Sequence, residues 1–448
     1  MQQACAITPL ERTTTVSVAT PAPNDAIWFK DVVVFDSRNA KLTDVSQVLV
    51  KDGLIQSVPP GPAAPAGSEG ATVIDGTGRT LIPGLIDMHA HSMFGTIPVA
   101  DAMQCDIGYL HINAAAGAEE TLRRGFTTLR DAGGPSFGLK RAIDSGVVPG
   151  PRIFPSGAFI SQSGGHGDFR MPYETPRGVC GHLSHVELMG SSVLADGVPE
   201  VLRGVREQLM HGASQVKVMA GGGVASSYDP LDVTQYTLDE MRAAVECAEN
   251  FGTYVMVHAY TPRAIRQALE AGVRSIEHGQ LLDEETVELI AKKDAWWSLQ
   301  PFLDDDDMVP EPNPVNQRKA LDVAAGTDRA YAMAKKLGIK VAWGTDTLFS
   351  PDLATRQGEQ LAKMVRWYTP AEVLSMGTFQ NAQLLAMSGP RNPYPGTLGV
   401  VEDGAMADLV LIQGNPLDDI TLIQQSETAM VVIMKDGDVV KNTLPATA

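Results

Sequence analysis

His89-Ala90-His91 closes an apolar run, Leu85 to His89, that reads as a strand. Side chains at i and i+2 of a strand point to one face, so the two imidazoles can converge on one ion. Alone, a His-x-His pair arises by chance. Its place at the C-terminal end of a strand that would belong to a barrel, where active sites sit, gives it weight. His258 and His278 end two further apolar runs, Tyr254–His258 and Ser275–His278. A lone strand-end histidine is more often structural than catalytic, but two more at such ends make coincidence a poor account.

Asp346 follows Trp343-Gly344-Thr345 at the end of the last run. A carboxylate there can ligate a metal and take a proton from water. Taken singly, it reads better as the N-cap of a following helix. Lys217 lies inside Gln215-Val216-Lys217-Val218-Met219. A lysine in an apolar strand costs free energy unless it is paired or neutralised, and burial lowers its pKa. The freed amine can take up carbon dioxide as a carbamate, an anion with two oxygens that can bridge two metals. The bland alternative is a lysine snorkelling to the strand end. Four His, one Lys and one Asp then occupy strand ends one, four, five, six and eight. Nitrogen and oxygen ligands without Cys suit zinc best, followed by manganese, cobalt and nickel.

The elements that must position these residues are legible as eight strand-like runs. They are Leu85–His89, Thr127–Arg130, Arg152–Gly157, Val216–Met219, Tyr254–His258, Ser275–His278, Trp296–Gln300 and Lys340–Thr345. Amphipathic helical stretches such as Leu238–Phe251, Pro262–Ala271 and Asp283–Lys292 separate them. Strands alternating with helices over this length predict an α/β fold, a (β/α)8 TIM barrel spanning 83–389. A doubly wound sheet is the competing arrangement, but no GxGxxG follows the first strand.

Short strands flank the barrel on both sides. Ile27-Trp28-Phe29, Val32 to Phe35 and Val48 to Ile55, with an Asp52-Gly53 hairpin signal, precede it. Gly404 to Ile412 and Val431 to Gly437 follow it. Such strands need a partner sheet, so 26–82 and 390–448 are expected to form one small β domain from both chain ends. The first 25 residues read as a flexible tail. They lack a basic segment followed by an apolar one, so they are no signal peptide as given. A cytoplasmic protein is expected, with an exported form whose signal has been removed as the other reading.

Composition narrows the function. The chain has 448 residues, is 44% hydrophobic and carries a formal net charge of −18. That balance fits a globular protein and argues against nucleic-acid binding. No run reaches the ~18 apolar residues of a membrane span. Cys5, Cys105, Cys180 and Cys247 are far apart and form no disulfide framework.

These features together resemble the amidohydrolase superfamily, specifically its binuclear branch, over nearly the whole chain. The likeness rests on Pro83-Gly84-Leu85-Ile86-Asp87-Met88-His89-Ala90-His91, Glu277-His278-Gly279, Gly344-Thr345-Asp346 and Gly404-Ala405-Met406-Ala407-Asp408-Leu409-Val410. Thr378-Phe379-Gln380-Asn381-Ala382 keeps the family's Asn-Ala but not its usual Ala-Thr start. The resemblance implies two divalent metals. His89, His91 and Asp346 would bind the buried one, His258 and His278 the more exposed one, and carboxylated Lys217 would bridge them. It also implies a homo-oligomer, with an octamer as one form.

Two loops bear on the substrate. Ser163-Gly164-Gly165-His166-Gly167-Asp168 carries glycines that let backbone approach a ligand, and His166 can polarise a carbonyl or bind a carboxylate. A mobile loop with a solvated His is the plain alternative. Gly221 to Tyr228 follows Lys217, and Tyr228 either reaches the site or packs on its own loop. Both loops look like those of the prolidase-like, or imidazolonepropionase-like, group, which includes ochratoxin-hydrolysing amidohydrolases. That implies hydrolysis of a small-molecule amide to release a C-terminal amino acid, with His166 and Tyr228 as substrate contacts and ochratoxin A as a candidate. The alternative reaction is that of a cyclic amidase or deaminase; those branches typically use one metal and lack the bridging Lys. Asp304 to Asp307 reads as a solvated acidic loop.

Overall fold

A computed structural model describes residues 26–171, 173–226 and 228–445. The tail expected over residues 1–25, and Cys5 with it, lies outside the described residues. Five strands open the described chain: β1 (Ile27–Asp36), β2 (Lys41–Lys51), β3 (Leu54–Ser57), β4 (Thr72–Asp75) and β5 (Arg79–Pro83). There follow β6 (Leu85–Ala90), β7 (Phe126–Asp131), β8 (Arg152–Pro155), β9 (Phe159–Ser161), β10 (Ser192–Leu194) and β11 (Val216–Met219). Then come β12 (Val255–Ala259), β13 (Ser275–His278), β14 (Trp296–Ser298) and β15 (Val341–Ala342). The chain closes with β16 (Leu409–Gln413), β17 (Met430–Lys435) and β18 (Asp438–Asn442).

Both chain ends meet in one sheet of order β18-β17-β16-β5-β1-β2-β3, with β4 also beside β1. β5 and β16 pair antiparallel, with Leu81 opposite Leu411. Phe29, Val34, Leu81, Leu411 and Val432 form part of its core. The two Asp-Gly turns work as their residue types require. Asp52-Gly53 and Asp436-Gly437 each have two positive φ values, the signature of a two-residue turn whose twist matches the strands it joins. The two apolar runs expected at 27–29 and 32–35 are one strand interrupted by an irregularity at Phe29–Val32, where Asp31 has φ 56°.

The middle of the chain alternates parallel strands with helices, as expected. The strands lie in two parallel sheets, β6-β7-β8 and β10-β9-β11-β12-β13-β14-β15. The run expected as one strand over Arg152–Gly157 is divided. Gly157 takes φ 74°, and a Cβ there would lie 2.3 Å from the Gln208 side chain and 2.8 Å from the Phe137 ring. The chain bends at this residue, so β8 pairs with β7 while β9 pairs with β10 and β11.

Backbone hydrogen bonds also cross both gaps between the parallel sheets. On one side Ser214 N–H donates to Pro155 O at 2.8 Å. On the other, Met88 N–H donates to Trp343 O at 3.1 Å and Asp346 N–H to His89 O at 2.7 Å. Asn381 reinforces that second junction. Its amide donates to Ile86 O and Trp343 O and accepts from Trp343 N–H. The family-like Asn-Ala thus ties the first strand of the parallel region to the last.

Local sequence explains the helices between the strands. Pro262–Ala271 begins with Pro, ends at Gly272 with φ 103°, and buries Ile265, Ala268 and Leu269. Leu238–Asn250 is opened by a capping box of Thr237 and Glu240. Among the described residues, no helix is long and apolar enough to cross a membrane.

Candidate metal centre

His89 on β6, Lys217 on β11, His258 on β12 and His278 on β13 converge with His91 and Asp346, which lie just past β6 and β15. All five of the His and Lys side chains are buried. Among the described residues, His89, His278 and Asp346 each offer a ligand atom, and these atoms lie within 4.8 Å of one another. The His89 ring is 4.9 Å from that of His278, which is 4.5 Å from that of His258. Lys217 Nζ is 3.3 Å from His89 Nε2. Strand register sets this: Met219 pairs with His258, and Ala259 with His278.

Each imidazole is held by a partner that can only accept. His89 Nδ1 lies 2.7 Å from Glu277 Oε2, and His91 Nδ1 3.1 Å from Gly133 O. His258 Nε2 lies 3.1 Å from Gly222 O, and His278 Nδ1 2.7 Å from Gln300 Oε1. The Gln300 amide is oriented by its Nε2 donating to Ser298 O. The proton therefore sits on the nitrogen facing the acceptor, and the other nitrogen of each ring carries a lone pair. This is how outer partners orient metal-binding imidazoles.

The donor set fits divalent cations. Asp346 Oδ1 stands 3.2 Å from His89 Nε2 and 3.1 Å from His91 Nε2. With the tautomers just given, an acceptor faces two acceptors, an arrangement a cation relieves. Two of these residues, Asp346 at φ 53° and His278 at φ 74°, adopt the left-handed backbone region. For side-chain-bearing residues that region costs free energy and recurs at functional sites.

Electrostatics follows from burial. Burial pushes the Lys217 ammonium down to about 8, against the pull of Glu277 and Asp346. Burial likewise pushes His278 down to about 3 and His258 well below the ordinary imidazole value.

Beneath the cluster lies a polar layer that the sequence reading did not assign. Arg130 is fully buried and donates to Glu277 Oε2 at 2.7 Å and to Met88 O at 2.6 Å. Ser275 also donates to Glu277, at 2.6 Å. Asp87 accepts from the backbone of His89 and Thr345, from the Thr345 hydroxyl and from Gln357. A signal for the first pair was present, because a buried Glu on one strand calls for a buried cation on another.

His166 stacks on His258, with ring centroids 4.0 Å apart, so its loop does reach the cluster. Tyr228 stands further out: it is 42% exposed, and its hydroxyl donates to Arg170 O. The acidic run is not simply solvated. Asp305 and Asp307 pair with Lys363, and Asp307 also with Arg356 at 2.8 Å. Two of its four carboxylates are thus answered by protein cations.

Buried ligand-type side chains at the carboxyl ends of parallel strands define an α/β enzyme with its chemistry at those strand ends. Residues 80–443 match the amidohydrolase family model. Ochratoxinase of Aspergillus niger is 32% identical over 384 residues, covering 81% of this chain and 75% of that protein. Imidazolonepropionase of Deinococcus radiodurans is 26% identical over 381 residues, covering 82% and 85%. The crystal structure of a prolidase complexed with N-methylphosphonate-L-proline superposes with a TM-score of 0.84 at 32% identity, covering 93% of this chain and all of that one. The chain belongs to the amidohydrolase family and is a hydrolase.

Proposed function

We propose that the protein hydrolyses the amide bond of N-acyl amino acids or dipeptides, releasing the C-terminal amino acid, and that ochratoxin A is among its substrates. The observation that carries this is His166 stacked on His258, a cationisable donor beside the cluster where a substrate carboxylate would lie. The likeness to ochratoxinase and to a prolidase holding a proline phosphonate supports it.

In this reading His89, His91 and Asp346 would hold one divalent ion, His258 and His278 a second, and carboxylated Lys217 would offer an oxygen to each. Zinc suits the donors. When bound, the ions supply Lewis acidity and a nucleophilic water at neutral pH. Asp346 accepts the proton of the attacking water and passes it to the leaving nitrogen, as base and then acid. His166 holds the substrate carboxylate, and Tyr228 closes the rim. The parallel sheets are taken to form one (β/α)8 barrel over 83–389, in line with the hydrogen bonds across both gaps. The sheet shared by both ends would form the small β domain of 26–82 and 390–448.

The likeness to imidazolonepropionase favours a second reading, opening of a cyclic amide. Lys217 beside His89 speaks for the first, since a bridging group has no purpose at a single ion. Zinc-loaded protein incubated with ochratoxin A, N-acyl phenylalanine, Xaa-Pro dipeptides and imidazolonepropionate decides between them. Release of a free amino acid, lost in Lys217→Ala, supports the amide reading. Turnover of the cyclic substrate alone overturns it.

A further inference from the structure

Lys319 stands on the helix Pro314–Lys336 and is buried. Its Nζ donates to three backbone carbonyls: Gly223 at 2.9 Å, Ser226 at 2.9 Å and Asp229 at 3.0 Å. An ammonium has three N–H groups and no acceptor, so these contacts use all of it. Charge-assisted bonds of this kind are the strong ones, and they offset the cost of burying the charge.

The three carbonyls belong to the three residues that cradle His166. Ser226 Oγ is 2.7 Å and Asp229 Oδ2 3.2 Å from His166 Nδ1. Gly223 lies under the ring: a Cβ there would come within 1.9 Å of it. Gly223 N–H also donates to Asp229 Oδ2 at 2.7 Å. A glycine-rich loop carries a large ordering entropy, and the buried Lys319 ammonium meets the loop at the points that fix the ring.

We propose that Lys319 is a positioning residue for substrate recognition: it locks the backbone at Gly223, Ser226 and Asp229 so that Ser226 and Asp229 hold the His166 ring against His258. The inference rests on the reading of His166 as the contact to the substrate carboxylate.

The test uses the full-length, zinc-loaded protein with Lys319→Met, His166→Ala and their double variant. Hydrogen exchange is read at the backbone amides of 221–230, and KM and kcat are read on N-acetyl-phenylalanine. Lys319→Met is expected to speed exchange in that loop by about tenfold or more, with metal content unchanged. KM should rise about tenfold with kcat within about threefold, and the double variant should match His166→Ala alone, because residues acting as one unit are not additive. Unchanged loop exchange, or KM effects that multiply in the double variant, would overturn the proposal. If the wild-type protein cleaves no N-acyl amino acid, the substrate reading falls, while loop exchange still decides whether Lys319 holds the loop. Should Lys319→Met fail to fold, Asp229→Asn removes the anionic partner with the three Lys319 backbone contacts intact. A KM rise then supports the cradle, and an unchanged KM sinks it.

Discussion

Glu277 Oε2 receives two hydrogen bonds of 2.7 Å, one from His89 Nδ1 and one from Arg130. A buried guanidinium thus fixes the carboxylate that in turn fixes the tautomer of a proposed metal ligand. Burial opposes the charge on Glu277, and Arg130 and His89 outweigh it, holding the carboxyl well below its usual range.

Glu277→Ala removes that partner and leaves Arg130 buried and unpaired. Loss of such an outer partner typically weakens metal binding by about 10- to 100-fold. Breaking a buried pair on one side costs about 3–5 kcal/mol of stability. Metal titration with elemental analysis, beside urea unfolding, checks both. Full metal affinity in a stable Glu277→Ala protein would refute the role given to this carboxylate.

Asp346→Asn keeps the shape of the side chain and one coordinating oxygen but cannot accept the proton. Turnover should fall by about 10²- to 10⁴-fold, the range for a positioned acid–base group, with metal still bound. Retained turnover at full metal content would remove Asp346 from the proton path.

How much of this was legible in the sequence depends on where each group's partner comes from. His89, His91, His258, His278 and Asp346 could be read because each ends an apolar run, and parallel strands aligned by such runs bring their ends together. The acceptors that set their tautomers were not legible. Gly133 O and Gly222 O are backbone groups, available on any residue, and only the folded chain selects them. The same holds for Lys319, whose three partners are carbonyls of a distant loop. β9 and β10 have three residues each, too few to show a period, and the bend at Gly157 hides the first of them.

Lys217 gives a pH signature in metal-free protein. Its ammonium falls from 10.5 to about 8 on folding because burial penalises the charge. The unfolded chain therefore binds more protons between these values, so stability rises with pH there. The contribution is fully present above 10.5 and lost as pH falls through about 8. It amounts to about 3 kcal/mol at 1.36 kcal/mol per pKa unit. Urea unfolding of metal-free protein against Lys217→Met, across pH 7–11, should show this difference. Parallel curves would mean that the lysine is not buried as a cation.

Asp408 lies just ahead of β16 and holds the shared sheet to the parallel strands. It takes two hydrogen bonds from Arg152, at 3.1 and 3.0 Å, and one from Asp436 N–H at 2.9 Å. Arg152 opens β8 and also contacts Asp436 in the β17–β18 turn. The Asp-Leu-Val segment that looked like a closing strand thus supplies the anchor between the two ends of the chain and the strands bearing the ligands. Asp408→Ala leaves a buried arginine with one more exposed partner, which should cost about 3–5 kcal/mol. Because the ligands sit at the opposite ends of the parallel strands, kcat at low temperature should change little while the unfolding midpoint falls. Equal loss of kcat and stability would mean that the two sheets are coupled through the site rather than through this pair.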